Sequence, residues 1–125
     1  MYYSFLVMAG GAIGSLARYQ FGRLSMRLFG MGWPWGTLGV NIIGGLLMGL
    51  FAGWLAARAQ GGEAIRVFFA VGVLGGFTTF SSFSLETMLM IERGEILSAL
   101  GYILVSVIAS VGALGLGLAL VRAVA

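Results

Sequence analysis

Cysteine, histidine, aspartate and lysine are all missing from this chain, and charge of either sign is scarce: seven arginines and four glutamates are spread over 125 residues. Without cysteine there is no disulfide and no thiolate, and the redox compartment stays undetermined. Without histidine and aspartate as well, the usual metal centres and catalytic triads lack their parts, which argues against an enzyme. The sequence pI is near 10.0, yet the arginines are scattered and not clustered. They read as interfacial anchors and not as a nucleic-acid face.

What is present is apolar. Hydrophobic residues make up 60% of the chain and charged ones 9%, with a mean hydropathy of +1.05. A soluble domain of this size has too little interior to hide so much apolar surface. The expected class is an all-α integral membrane protein, because a helix satisfies its own backbone in lipid.

The charges divide the chain into four apolar stretches, 1–22, 35–57, 67–85 (extending as far as 91) and 96–121. Each is close to the ~20 residues that cross a hydrocarbon core. A signal peptide is the rival reading of the first, but no basic residue precedes it and no small-x-small cleavage site comes after it. Trp33-Pro34-Trp35 opens the second, with proline suited to a first helical turn and tryptophan to the interface. The connections at 25–32, 58–63 and 92–95 leave no room for a soluble domain. Residues 1–125 therefore read as a single four-helix transmembrane subunit.

With four crossings, Arg58, Arg66 and Arg122 share one side, and Arg18, Arg23, Arg27 and Arg93 the other. Discounting a partly buried Arg18 makes the sides equal, so the positive-inside rule sets almost no orientation. Either the insertion machinery decides, or copies insert both ways and pair antiparallel. Glycine, 22 residues in all, falls at helix-contact spacing in Gly10 and Gly14 and again in Gly45, Gly49 and Gly53. Helices packed so closely leave no lumen within one subunit. A conduction path needs an oligomer or a narrow groove.

The third stretch holds the run Gly75-Gly76-Phe77-Thr78-Thr79-Phe80-Ser81-Ser82-Phe83-Ser84. Paired glycines and successive hydroxyl residues are poor material for an unbroken helix. In a membrane, freed backbone groups survive only where protein or a polar cavity satisfies them, so a break here points to a binding or permeation site. Phe80 and Phe83 lie one turn apart among hydroxyls, and ring edges with hydroxyl donors suit a small anion.

Other polar residues stand alone in apolar surroundings. Asn41 either makes an interhelical hydrogen bond or donates its amide to an anion. Tyr102, Ser106 and Ser110 recur every four residues and share a helix face, as a lining or as hydroxyls bonded back to the backbone. Arg18 either snorkels to headgroups or anchors a helix and attracts anions. Glu86 comes after the hydroxyl run and can cap or pair with an arginine.

The run from Gly75 to Phe83, together with Gly11-Ala12-Ile13-Gly14-Ser15-Leu16-Ala17-Arg18-Tyr19 and Gly39-Val40-Asn41-Ile42-Ile43-Gly44, resembles the Fluc (CrcB) fluoride channels over essentially the full length. Ser82 stands where that family often has threonine, and Phe77 where leucine is common. The resemblance implies an antiparallel, dual-topology homodimer with its third helix broken mid-membrane and two fluoride pores along the subunit interface. Phe80 and Phe83 would turn ring edges to the ion, Asn41 would donate to it, and Tyr102, Ser106 and Ser110 would extend the polar track. Ser81, Ser82 and Glu86 would form a second lining. The Gly75 and Thr78 carbonyls would hold a structural sodium on the dimer axis, two from each subunit. The implied role is passive fluoride export and fluoride resistance, in the cell membrane (the inner one in a Gram-negative cell).

Two other classes are weaker fits. A small multidrug-type exporter needs an intramembrane carboxylate early in the first helix, and none stands there. A purely structural subunit explains the glycines but not the hydroxyl and phenylalanine run.

Overall fold

The computed structural model describes residues 2–30, 32–57 and 62–124, all in helices or short connections. Arg58, one of the arginines in the charge balance, lies with the rest of 58–61 outside the described residues. Helix α1 spans Tyr2–Phe29, α2 Trp35–Ala57, α3 Glu63–Ile65, α4 Gly75–Phe77, α5 Ser81–Glu92 and α6 Ile96–Val124. Between α3 and α4 the chain is π-helical over Arg66–Leu74.

Among the described residues, three segments are long and apolar enough to cross a membrane: Trp35–Ala57, Glu63–Glu92 and Ile96–Val124. Helix α1, at 28 residues, has the length but dilutes its apolar face with Arg18, Arg23 and Arg27. It also runs on to Phe29, past the expected end near Gly22. The extra turns are largely exposed, Ser25 excepted, and end with the Phe29 ring against Trp35, centroids 5.8 Å apart.

The turns explain the helix ends. Gly30 (φ 77°) and Gly94 (φ 81°) adopt the left-handed conformation in which glycine is unstrained. Gly30 N–H returns to Met26 O at 2.9 Å, and Glu95 N–H to Met90 O at 2.9 Å, so terminal carbonyls stay paired. Pro34 precedes α2, and its carbonyl accepts the Leu38 N–H at 3.2 Å.

Glycines set the packing. A Cβ on Gly45 would stand 2.7 Å from Ser110 O, and one on Gly117 2.6 Å from Leu46 O, so α2 and α6 touch backbone to backbone. Gly45, Gly49 and Gly53 meet Ser110, Leu114 and Val121 in ascending order, which makes α2 and α6 parallel. Gly10 and Gly14 likewise meet 68–73 and then 73–77, so α1 runs parallel to the π-helical segment and α4. Gly36 and Gly39 meet Gly22 and Phe21 in descending order, so α1 and α2 are antiparallel. A small core of Leu38, Phe83, Met90, Ala99 and Tyr102 closes one end of the bundle beside the helix break.

Candidate functional site

The glycines of the hydroxyl run stay helical, and the break falls just beyond them. Thr78 is extended (φ −82°, ψ 159°), and the helix resumes at Ser81. Thr78 itself still reaches back, its N–H and Oγ1 donating to Leu74 O at 3.0 and 3.1 Å. Thr79 leaves the ladder altogether. Its N–H donates to Asn41 Oδ1 at 2.9 Å, and its carbonyl accepts from Asn41 Nδ2 at 3.0 Å. One amide side chain on α2 thus replaces both backbone partners of the residue at the break.

That replacement has a consequence for the neighbouring carbonyls. In a continuous helix Gly75 O would receive the Thr79 N–H, and Thr78 O the Ser82 N–H. Both donors are engaged by side chains, the second by Thr79 Oγ1 at 3.3 Å. Of the two carbonyls between them, Gly76 O accepts Arg18 Nε at 3.2 Å. Gly44 lets α2 come this near: a Cβ there would collide with Thr78 Cγ2.

Against the break lies a groove of about 390 Å³, walled by Asn41, Thr79, Phe80, Phe83, Ser106 and Ser110 among others, with no charged residue in its lining. Among the described residues, Ser106 Oγ and Ser110 Oγ are the buried side-chain polar atoms without a hydrogen-bond partner. Such atoms are costly unless something else accepts or donates. The two serines therefore do not bond back to the helix, which was one of their two expected fates. The Phe80 ring is 77% exposed while Phe83 is buried, and their centroids are 5.6 Å apart at 46°. Tyr102 stands behind Phe83, ring to ring at 5.1 Å, and its hydroxyl donates to Glu86 Oε1 at 3.0 Å.

The remaining expected residues sit elsewhere. Arg18 and Ser82 line a separate cavity of about 220 Å³, which Thr79 also borders. Glu86 enters a third, of about 400 Å³, beside Trp33, Thr37 and Arg93. Ser81 is exposed, its Oγ 3.4 Å from Thr79 Oγ1. Ser82 and Glu86 stand one turn apart on α5, in adjoining cavities that share Gly22, Met26, Gly36 and Thr37, whereas Ser81 lines neither. Glu86 pairs with a tyrosine and not with an arginine, and Arg18 anchors a backbone carbonyl.

Sequence reasoning gave Thr79 no role, although both cavities at the break meet there. The only signal was its place inside the hydroxyl run; its partner is 38 positions away. The chemistry open to the groove is set by its donors. Two free hydroxyls, the second amide hydrogen of Asn41 and the phenylalanine edges are all electropositive toward a small guest. No carboxylate stands in its lining. Such a surface suits an anion that must exchange its water for dense donors.

The family model for CrcB-like protein, Camphor Resistance (CrcB), matches residues 5–118. The fluoride-specific ion channel FluC of Caulobacter sp. (strain K31) is 57% identical over 94% of this chain and 92% of its own length. FluC 1 of Nitrobacter hamburgensis, also named a fluoride-specific ion channel, is 53% identical over 93% of this chain and 92% of its own. A third, the fluoride-specific ion channel FluC of Novosphingobium aromaticivorans, is 52% identical over 95% of each.

Proposed function

The chain belongs to the CrcB-like family, and from that premise we propose that it is a fluoride-selective passive channel that lets fluoride leave the cell and so confers fluoride resistance. The observation that carries this reading is the groove at the helix break, where two buried serine hydroxyls without protein partners face a pair of phenylalanines. Fluoride is small and tightly hydrated, so a pathway must offer many donors at once. A path this narrow disfavours larger halides, whose weaker hydration alone would favour them. The chain holds no group that would couple movement to an energy source.

In this reading α1 is the fourth crossing. Its antiparallel packing on α2 supports that, since at ~1.5 Å per residue its 28 residues exceed the ~30 Å core. The exposed Phe80 and the near-equal arginine sides support an antiparallel, dual-topology homodimer, in which a second copy completes two pores. The membrane is the cell membrane, the inner one in a Gram-negative cell. Ser106, Ser110, Asn41, Phe80 and Phe83 form the anion track, with Tyr102 and Glu86 at its end and Arg18, Ser81 and Ser82 on the far side of Thr79.

The family also implies a structural sodium ion. The Gly75 and Thr78 carbonyls fit it, because both have lost their helical donors and oxygen ligands suit a hard cation. Bound there, a cation would supply fixed positive charge. Asn41 holds Thr79, next to those carbonyls, and Arg18 already occupies Gly76 O. Proteoliposomes loaded with fluoride or with chloride decide the matter: fluoride should leave rapidly and chloride should be retained. Equal efflux of the two would refute fluoride selectivity, and no efflux of either would refute the channel.

A further inference from the structure

Trp33 lies in the connection between α1 and α2, where its sequence context marks it only as an interfacial residue. In the structure its indole reaches across the bundle. Nε1–H donates to Ser98 Oγ at 2.9 Å, in the first turn of α6. Its ring meets the Tyr102 ring edge-on, centroids 5.2 Å apart at 74°. Tyr102 is one turn beyond Ser98 and completely buried, at 0% exposure. Its hydroxyl meets Glu86 Oε1, and its ring backs Phe83. Trp33 also packs on the core that contains Phe83 and Tyr102, and lines the cavity that Glu86 enters.

We propose that Trp33, tied by its indole N–H to Ser98, is a positioning residue for the polar end of the anion path: it sets the Tyr102 ring so that the hydroxyl meets Glu86 and the ring supports Phe83. A hydrogen bond weakens steeply as it bends, so a small rotation of the Tyr102 ring would uncouple it from Glu86. Trp33, edge-on to the Tyr102 ring, opposes that rotation together with Phe83, which also packs on it. The Ser98 bond matters because an indole held only by packing can slide, whereas one anchored through Nε1 cannot. Trp33 touches no ion in this scheme and acts through Tyr102. The inference rests on the fluoride-channel reading.

The test compares wild type with Ser98→Ala, Trp33→Phe, Tyr102→Phe and the Ser98→Ala/Tyr102→Phe double variant in fluoride-loaded liposomes, each checked for unchanged assembly size and melting. Ser98→Ala and Trp33→Phe should each slow fluoride efflux by about threefold to tenfold, the scale of one lost ring contact or hydrogen bond. In the Tyr102→Phe background Ser98→Ala should cost much less than it does in wild type, because the hydroxyl it positions is already gone and only the ring's support of Phe83 is left to disturb. Hydrogen exchange at the Trp33 indole should accelerate in Ser98→Ala. Ser98→Ala is the variant that decides if Trp33→Phe fails to fold. Wild-type efflux in a folded Ser98→Ala protein overturns the proposal while leaving the channel intact. Losses that multiply in the double variant also overturn it, since a merely structural role would act independently of the tyrosine hydroxyl. A wild-type protein that passes no fluoride overturns the channel reading and this inference with it.

Discussion

Helix α2 meets two neighbours in opposite ways. Along Gly45 and Gly49 it presses on α6 with backbone against backbone, and at Gly53 on the Val121 side chain, a seam between two uninterrupted helices whose main-chain groups pair within each helix. Within the turn just before Gly45, at Asn41 and Gly44, it meets a segment whose ladder is open, and a side chain must substitute for the missing partners. The seam gains from closeness alone. The break gains from polar satisfaction, and leaves some polar atoms over. Stability belongs to the first region and chemistry to the second, because a group already paired has nothing to offer a passing ion.

Substitutions can test that division. Gly49→Val should have the largest effect, since even a Cβ there collides with Leu114 O, and a backbone atom cannot rotate away. The expected cost exceeds the ~1–3 kcal/mol of ordinary overpacking, and little folded protein should survive size-exclusion chromatography in detergent. Asn41→Ala should come next. It strands the N–H and the carbonyl of the half-buried Thr79, at up to about 1–3 kcal/mol, the cost for a fully buried unpaired group, and should lower the melting temperature while abolishing fluoride flux. A variant with wild-type stability would mean that the break does not depend on this clamp.

The serine pair should separate the two regions most sharply. Ser106→Ala with Ser110→Ala removes hydroxyls that have no protein partner, so melting should hold or rise by up to about 1 kcal/mol equivalent. Fluoride efflux should nevertheless fall at least tenfold, about 1.4 kcal/mol on the barrier. Unchanged efflux would take both hydroxyls out of the path. The phenylalanines should split in the same manner: Phe80→Ile, at a ring 77% exposed in one chain, should lose flux with its stability kept. Phe83→Ile should lose both, because that ring also packs Tyr102. The smallest effect belongs to Gly11→Ala, whose new methyl would meet nothing within 4 Å. Its melting should stay within about 0.5 kcal/mol of wild type, as for a surface change.

Much of this was legible in the chain itself. Composition named the class, the charges marked four apolar stretches, and the spacing of Gly45, Gly49 and Gly53 foretold a close helix contact. The fact of a break in the third stretch was legible too, as was the candidacy of Asn41, Phe80, Phe83, Ser106 and Ser110, all of which wall one groove. The π-helical course of Arg66–Leu74 had no such signal. Nor did the separation of Ser81, which lines neither cavity, from Ser82 and Glu86, which stand one turn apart and line adjoining ones.

Amino-acid sequence alone determined that the backbone would be helical and apolar, because lipid leaves a spanning chain few other ways to pair its N–H and C=O groups. It also determined that the third stretch would be its weakest helix. Where that helix opens was decided only in three dimensions. Glycine costs a helix about 1 kcal/mol, less than an unpaired backbone group, so Gly75 and Gly76 stay helical. The ladder gives way at Thr79 because there, and through a residue 38 positions distant, Asn41 can take up both groups that the helix releases.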